Sequence, residues 1–113
     1  MKGTRVILEM GSGNDLHGGD YTKAAIRAVE DATHQSSLTF IRTLGIDPKS
    51  MQVEVTIGVP RPDRVDEQAV LAVLPHGTGT VRVVEGGLEI PNDSGTNKTV
   101  VANAAAVVRL EIA

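Results

Sequence analysis

The sequence predicts a single α/β domain over residues 1–113, with element order β-α-β-α-β-β. It forms a mixed sheet with two helices on one face, and the other face is left for contact between copies of the chain. Three observations carry this prediction. The stretch MQVEVTIGV (51–59) alternates strictly, with Met51, Val53, Val55, Ile57 and Val59 on one side, as a half-buried strand does. From Asp20 to Gly45, apolar residues at 25, 26, 29, 32, 40, 41 and 44 keep the three-to-four spacing of an amphipathic helix. A length of 113 residues with 41% apolar and 22% charged residues suits one soluble core.

The elements follow in order. TRVILEM (4–10) is β-branched and apolar and runs into glycines, which makes it strand one. Asp20 is a favoured helix N-cap, since its carboxylate can accept from the free amides of the first turn. Gly45 can close the long helix in a left-handed cap, and Ser36-Ser37 is its weak point. After strand two, PRPDR breaks the chain. DEQAVLAVLP (66–75) is then a short helix, capped by Asp63 or Asp66 and ended by Pro75. GTVRVVEGGLEIP reads as a hairpin turning at Gly86-Gly87. KTVVANAAAVVRLEI (98–112) is a long last strand, apolar at every even position from Val100 to Ile112 and apolar enough between them to be buried on both faces. Strand one should reach strand two by a crossover between parallel strands. Two helices cover only one face of such a sheet, and a symmetric homo-oligomer, a trimer by preference, would cover the other.

Composition excludes several functions. The chain has no cysteine, which removes disulfides, thiolate catalysis and Cys-ligated metals and makes a reducing cytoplasm the expected compartment. Its apolar runs fall well short of the ~20 residues that span a bilayer, so no membrane partner is expected. A net charge of −3, scattered cations and only two aromatics, Tyr21 and Phe40, argue against nucleic acid as a partner.

The candidate site is LEMGSGNDLHGGDYTKAA (8–25), where Gly11, Gly13, Gly18 and Gly19 surround Ser12, Asn14, Asp15, His17 and Asp20. A glycine loop between a strand and a helix start can present backbone amides to a ligand. No Lys follows Gly18-Gly19, however, and Leu16 stands where a dinucleotide fingerprint needs glycine, so neither phosphate motif is met. Asp15 and His17 are an acid–base pair or two ligands of a divalent metal, with Glu9 and His76 as further candidates. Tying the loop's own backbone together is the competing role for Asp15 and His17. Lys23, in the first helical turn, is a candidate base. Asn103 interrupts the apolar last strand and is a candidate ligand contact. Arg61 and Arg64 flank a turn and read as solvated, as does His34.

At GSGNDLHG the chain resembles a family of uncharacterised bacterial and plant proteins with a G-x-G-x-D-x-H-G motif, filled by Gly11, Gly13, Asp15, His17 and Gly18. The resemblance continues through DYTKAAIRAV, IGVP, VDE, LPHG, VVEGG and VANAA, and it implies no known activity. GSGN…GGDYTKAA is also similar to a segment of the ring-opening amidohydrolases that act on cyanuric acid and barbiturate, which are built from three repeats of about this size. That likeness implies trimerisation and a small cyclic amide as ligand. Those enzymes use Ser–Lys pairs, and Ser12 and Lys23 are the local candidates here. Two readings follow. One is an enzyme site hydrolysing a small cyclic amide, and the other is a non-catalytic homo-oligomer that binds a small polar metabolite.

Overall fold

In a computed structural model of the chain, residues 3–33, 45–47, 50–74 and 78–111 are described. The elements are β1 (Thr4–Asp15), α1 (Tyr21–Thr33), β2 (Gln52–Val59), a 3-10 turn at Pro62–Arg64, α2 (Glu67–Leu71), β3 (Thr78–Glu85), β4 (Leu88–Pro91) and β5 (Lys98–Leu110). The five strands form one mixed sheet in the order β1-β5-β2-β3, with β4 also paired to β5. The α/β class and the two helices are as the sequence predicts. Continuation of α1 through 34–44, His34 and His76 fall outside the described residues.

β5 is the centre of the sheet. It runs antiparallel to β1 from Thr4↔Leu110 to Asp15↔Val100, and antiparallel to β2 from Gln52↔Arg109 to Gly58↔Asn103. β1 and β2 are therefore parallel to each other but not neighbours, because β5 lies between them. β5 also alternates rather than being buried throughout. Val100, Ala102, Ala104, Ala106, Val108 and Leu110 are in the core, while Asn103 is exposed and the other odd positions from 101 to 109 are half-buried. The physical reason is that α1 and α2 cover only one face.

The core lies between that face and α1. Ala24, Ala25, Ala28, Val29 and Ala32 of α1 pack on Val53, Val55, Ile57 and Val59 of β2 and on the even residues of β5. These helix residues are small, so α1 comes down close to the sheet. Asp20 caps α1, its Oδ1 accepting from Lys23 N at 3.0 Å. Asp66, and not Asp63, caps α2, accepting from Gln68 N and Ala69 N. An Asp66→Ala substitution should cost about 1 kcal/mol, the usual value of an N-cap, read as a fall in the urea midpoint without a change in slope.

The hairpin expected at Gly86-Gly87 does not form. β3 pairs with β2 in parallel, and β4 pairs with β5, from Leu88↔Val101 to Pro91↔Lys98. β2 leaves β5 at Gly58, so β4 takes up the edge of β5 that β2 vacates. Gly86 and Gly87 step the chain across the end of β2. Gly86 N donates to Val59 O at 2.9 Å, and Gly87 has φ +64°. A side chain at Gly87 would press on Val101 O, and its Cβ would stand 3.1 Å from Gly58 O.

Candidate functional site

The glycine-rich segment is strand for longer than the sequence indicates, since β1 continues through Gly11 and Gly13 to Asp15. Inward-facing residues of β1 alternate with outward-facing ones, so Gly11, Gly13 and Asp15 point towards α1 and Ser12 and Asn14 point away. A Cβ on Gly11 would stand 2.7 Å from Ala28 O and 2.9 Å from Ala32 Cα. One on Gly13 would stand 2.6 Å from the Arg27 carbonyl carbon and closer still to Ala28 N. The space beside these two glycines is filled by the backbone of α1, which corrects the reading of them as part of an open ligand cradle.

The irregular loop is therefore only residues 16–20, and Asp15 holds it. Its side chain is 6% exposed, and its Oδ2 accepts from Gly18 N at 3.1 Å and Asp20 N at 2.9 Å. Oδ1 faces two cations one helical turn apart, Lys23 Nζ at 3.9 Å and Arg27 at 4.0 Å. The hydrogen bond from Asp20 N leads in holding the carboxyl below its ordinary pKa, with Lys23, Gly18 and Arg27 adding to it against the opposing effect of burial. Asp15 is thus an ionised anchor.

Around this anchor lies a concavity of about 440 Å³, lined by Asp15, Leu16, His17, Gly18, Asp20, Lys23 and Arg27. His17 is exposed on its rim. Arg27 reaches back to donate to Asn14 O at 2.7 Å, and Asp31 accepts from Ser12 N at 3.0 Å. Two α1 side chains one turn apart thereby occupy backbone groups on the open edge of β1, which would otherwise invite strand pairing. On the other side of the loop, Thr99 Oγ1 donates to Leu16 O at 3.0 Å. Gly19 (φ +60°) leaves room for the stem of Lys98, whose Cε would be 2.9 Å from a Cβ there. Lys98 pairs with Glu89 at 3.0 Å, and the buried Tyr21 hydroxyl donates to the same carboxylate oxygen. The Tyr21 bond, followed by Lys98, lowers the pKa of Glu89, and Tyr21 followed by Glu89 raises that of Lys98.

The structure thus brings together Asp15, His17, Gly18, Gly19, Asp20 and Lys23 and separates three other candidates from them. Ser12 points to the opposite side of the sheet from Lys23, so the Ser–Lys pair is not assembled. Asn103, paired in register with Ser12, lies on that opposite face as well. Asn14 contributes its carbonyl to Arg27 and does not line the concavity. A divalent metal does not fit at Asp15, because the oxygen not occupied by amides already faces Lys23 and Arg27. Among the described residues no group of three or more His, Asp or Glu is placed to hold a metal ion. Arg27 and the Glu89–Lys98–Tyr21 cluster are new. Arg27 was readable as the residue one turn after Lys23, whereas the cluster joins elements distant in sequence.

Residues 5–108 match the family described as conserved hypothetical protein (Lin0512_fam). The chain belongs to this family. A crystal structure of an FtsZ-like protein of unknown function from Nostoc punctiforme is similar to this family member throughout. It is 38% identical, with 99% of each chain covered and a TM-score of 0.84. No protein with a curated description matches the chain. Among the described residues of this Lin0512_fam member, no helix is long and apolar enough to cross a membrane.

Proposed function

We propose that this protein binds a small, overall uncharged polar molecule, an amide or ureide, in the concavity between the 16–20 loop and α1. The observation that carries this reading is the pairing of opposite charges around that hollow. Lys23 and Arg27 project from one face of α1 over a carboxylate that the loop's amides hold ionised. Amide carbonyl oxygens suit the two cations. Of the two carboxylates that line the hollow, the exposed Asp20 is the one that suits amide N–H groups, since both oxygens of Asp15 are already engaged. A doubly charged anion would meet those carboxylates at close range, which disfavours it.

Binding is favoured over hydrolysis of the same class of molecule. A carboxylate held well ionised by two N–H donors and two cations is a poor proton carrier near neutrality. Ser12 stands on the wrong side of the sheet to serve as a nucleophile for Lys23. The resemblance to ring-opening amidohydrolases supports the ligand class, not their chemistry.

Calorimetric titration near neutral pH with uncharged probes, namely hydantoin, dihydrouracil and simple amides, tests the reading. Saturable binding to the wild type should weaken by roughly ten-fold or more in Lys23→Met and in Arg27→Met, as expected when a hydrogen bond to a charged group is lost. An absence of binding across the set, or binding indifferent to both substitutions, would remove it. Release of a ring-opened acid would make hydrolysis the function instead.

A further inference from the structure

The face of the sheet turned away from α1 exposes large apolar side chains, among them Leu8 (47%), Met10 (70%), Leu88 (60%) and Ile90 (53%). The register lines up two rows across it. In one row Ala105 stands between Met10 and Thr56, and in the other Asn103 stands between Ser12 and Gly58. The small residues of these rows leave a hollow of about 240 Å³ next to the protruding Met10. We propose that this face packs against a second copy of the chain about a two-fold axis lying along β5, each Met10 seated in its partner's hollow.

The geometry of the rows points to a like partner. Rotation about an axis above β5 and parallel to it keeps positions along the strands and exchanges the β1 side for the β2 side. Met10, one strand to one side of Ala105, is carried over the partner's Thr56, one strand to the other side. The same rotation sets Asn103 opposite the partner's Asn103. A carboxamide carries both a donor and an acceptor, so it satisfies itself across a two-fold axis. The Asn103 side chain has no hydrogen-bond partner within the chain among the described residues, and the knob and its hollow belong to one surface, as an isologous contact requires. At strand spacings of ~4.8 Å and a rise of ~3.3 Å per residue, the face offers on the order of 600 Å² per copy. That is close to the ~800 Å² per partner of a standard interface. Strands would run aligned in the two sheets, the ordinary sandwich arrangement.

Sedimentation equilibrium of the full chain should give a dimer at micromolar concentration. Met10→Asp places a charge in the apolar hollow, and Ala105→Glu fills it. Each should raise the dimer Kd by roughly ten-fold or more, with circular dichroism confirming that the variant is folded. Because the chain has no cysteine, Asn103→Cys adds a single thiol at the axis. A short bis-maleimide should then join two copies across the ~10 Å between packed sheets. A wild-type monomer, a trimer, a folded Met10→Asp and Ala105→Glu pair that still dimerise, or an uncrosslinked Asn103→Cys dimer would each overturn the proposal. Loss of ureide binding with dimerisation intact, or the reverse, distinguishes this interface from the loop site.

Discussion

Gly13→Ala should lower the stability of this protein by about 3 kcal/mol or more, at the upper end of what overpacking a core costs. The added methyl group would meet the Arg27–Ala28 peptide of α1, and backbone cannot swing aside as a flexible side chain can. Relief requires α1 to lift from β1, which loosens the contacts of Ala24, Ala28 and Ala32 with the sheet. For a domain of this size the loss corresponds to a melting temperature roughly 10–15 °C lower. Gly95→Ala is the control. Gly95 has φ +73° but open space around it, so its substitution carries only the left-handed backbone cost of about 1 kcal/mol. Equal urea midpoints for the two variants would show that close approach of helix and strand is not what Gly13 provides.

Asp15→Ala should be the second large effect, about 3 kcal/mol at neutral pH. The substitution leaves the N–H groups of Gly18 and Asp20 without their acceptor and leaves Lys23 and Arg27 facing each other with no anion between them. The pH dependence has a definite sign. The carboxyl of Asp15 is held below its ordinary value of 3.8 in the folded chain, so its contribution is complete above that value. The contribution disappears as pH falls through the lower folded value. The stability gap between wild type and Asp15→Ala should therefore be constant from pH 7 to about pH 5 and narrow below pH 4. Asp15→Asn keeps an acceptor oxygen for the loop amides and loses only the charge, so it should fall between the two. A gap that widens on acidification would contradict the anchoring role.

Much of the fold was legible from local pattern. The alternation of Met51 to Val59 is a property of a strand with one buried face, and it survives whatever the strand pairs with. Asp20 and Asp66 cap helices because the capping carboxylate and the amides it satisfies are two or three residues apart. The even positions of 100–110 face the core for the same short-range reason. The glycines were legible as special but not in their role. A run of Gly11, Gly13, Gly18 and Gly19 is compatible with a ligand approaching the backbone or a helix approaching it, and only the seating of α1 distinguishes them. Gly86-Gly87 has the local chemistry of a hairpin, yet which strand β4 pairs with depends on β5 being longer than β2, a relation between segments about 45 residues apart. The site followed the same division. Asp15, His17 and Lys23 could be placed near one another from spacing, whereas the Tyr21–Glu89–Lys98 contact that braces the loop from behind spans 77 positions.

The sequence by itself determined the order of strands and helices, that the first helix begins at Asp20, and that Asp15, His17, Asp20 and Lys23 lie close together between the first strand and first helix, because each of these rests on interactions within a few residues. Tertiary structure alone decided that β5 is the central strand, that Gly11 and Gly13 admit a helix, and that Asn103 and Ser12 belong to the opposite face from Lys23. Those outcomes depend on which surfaces meet, and the free energy of burying one surface on another is not encoded in any single stretch of the chain.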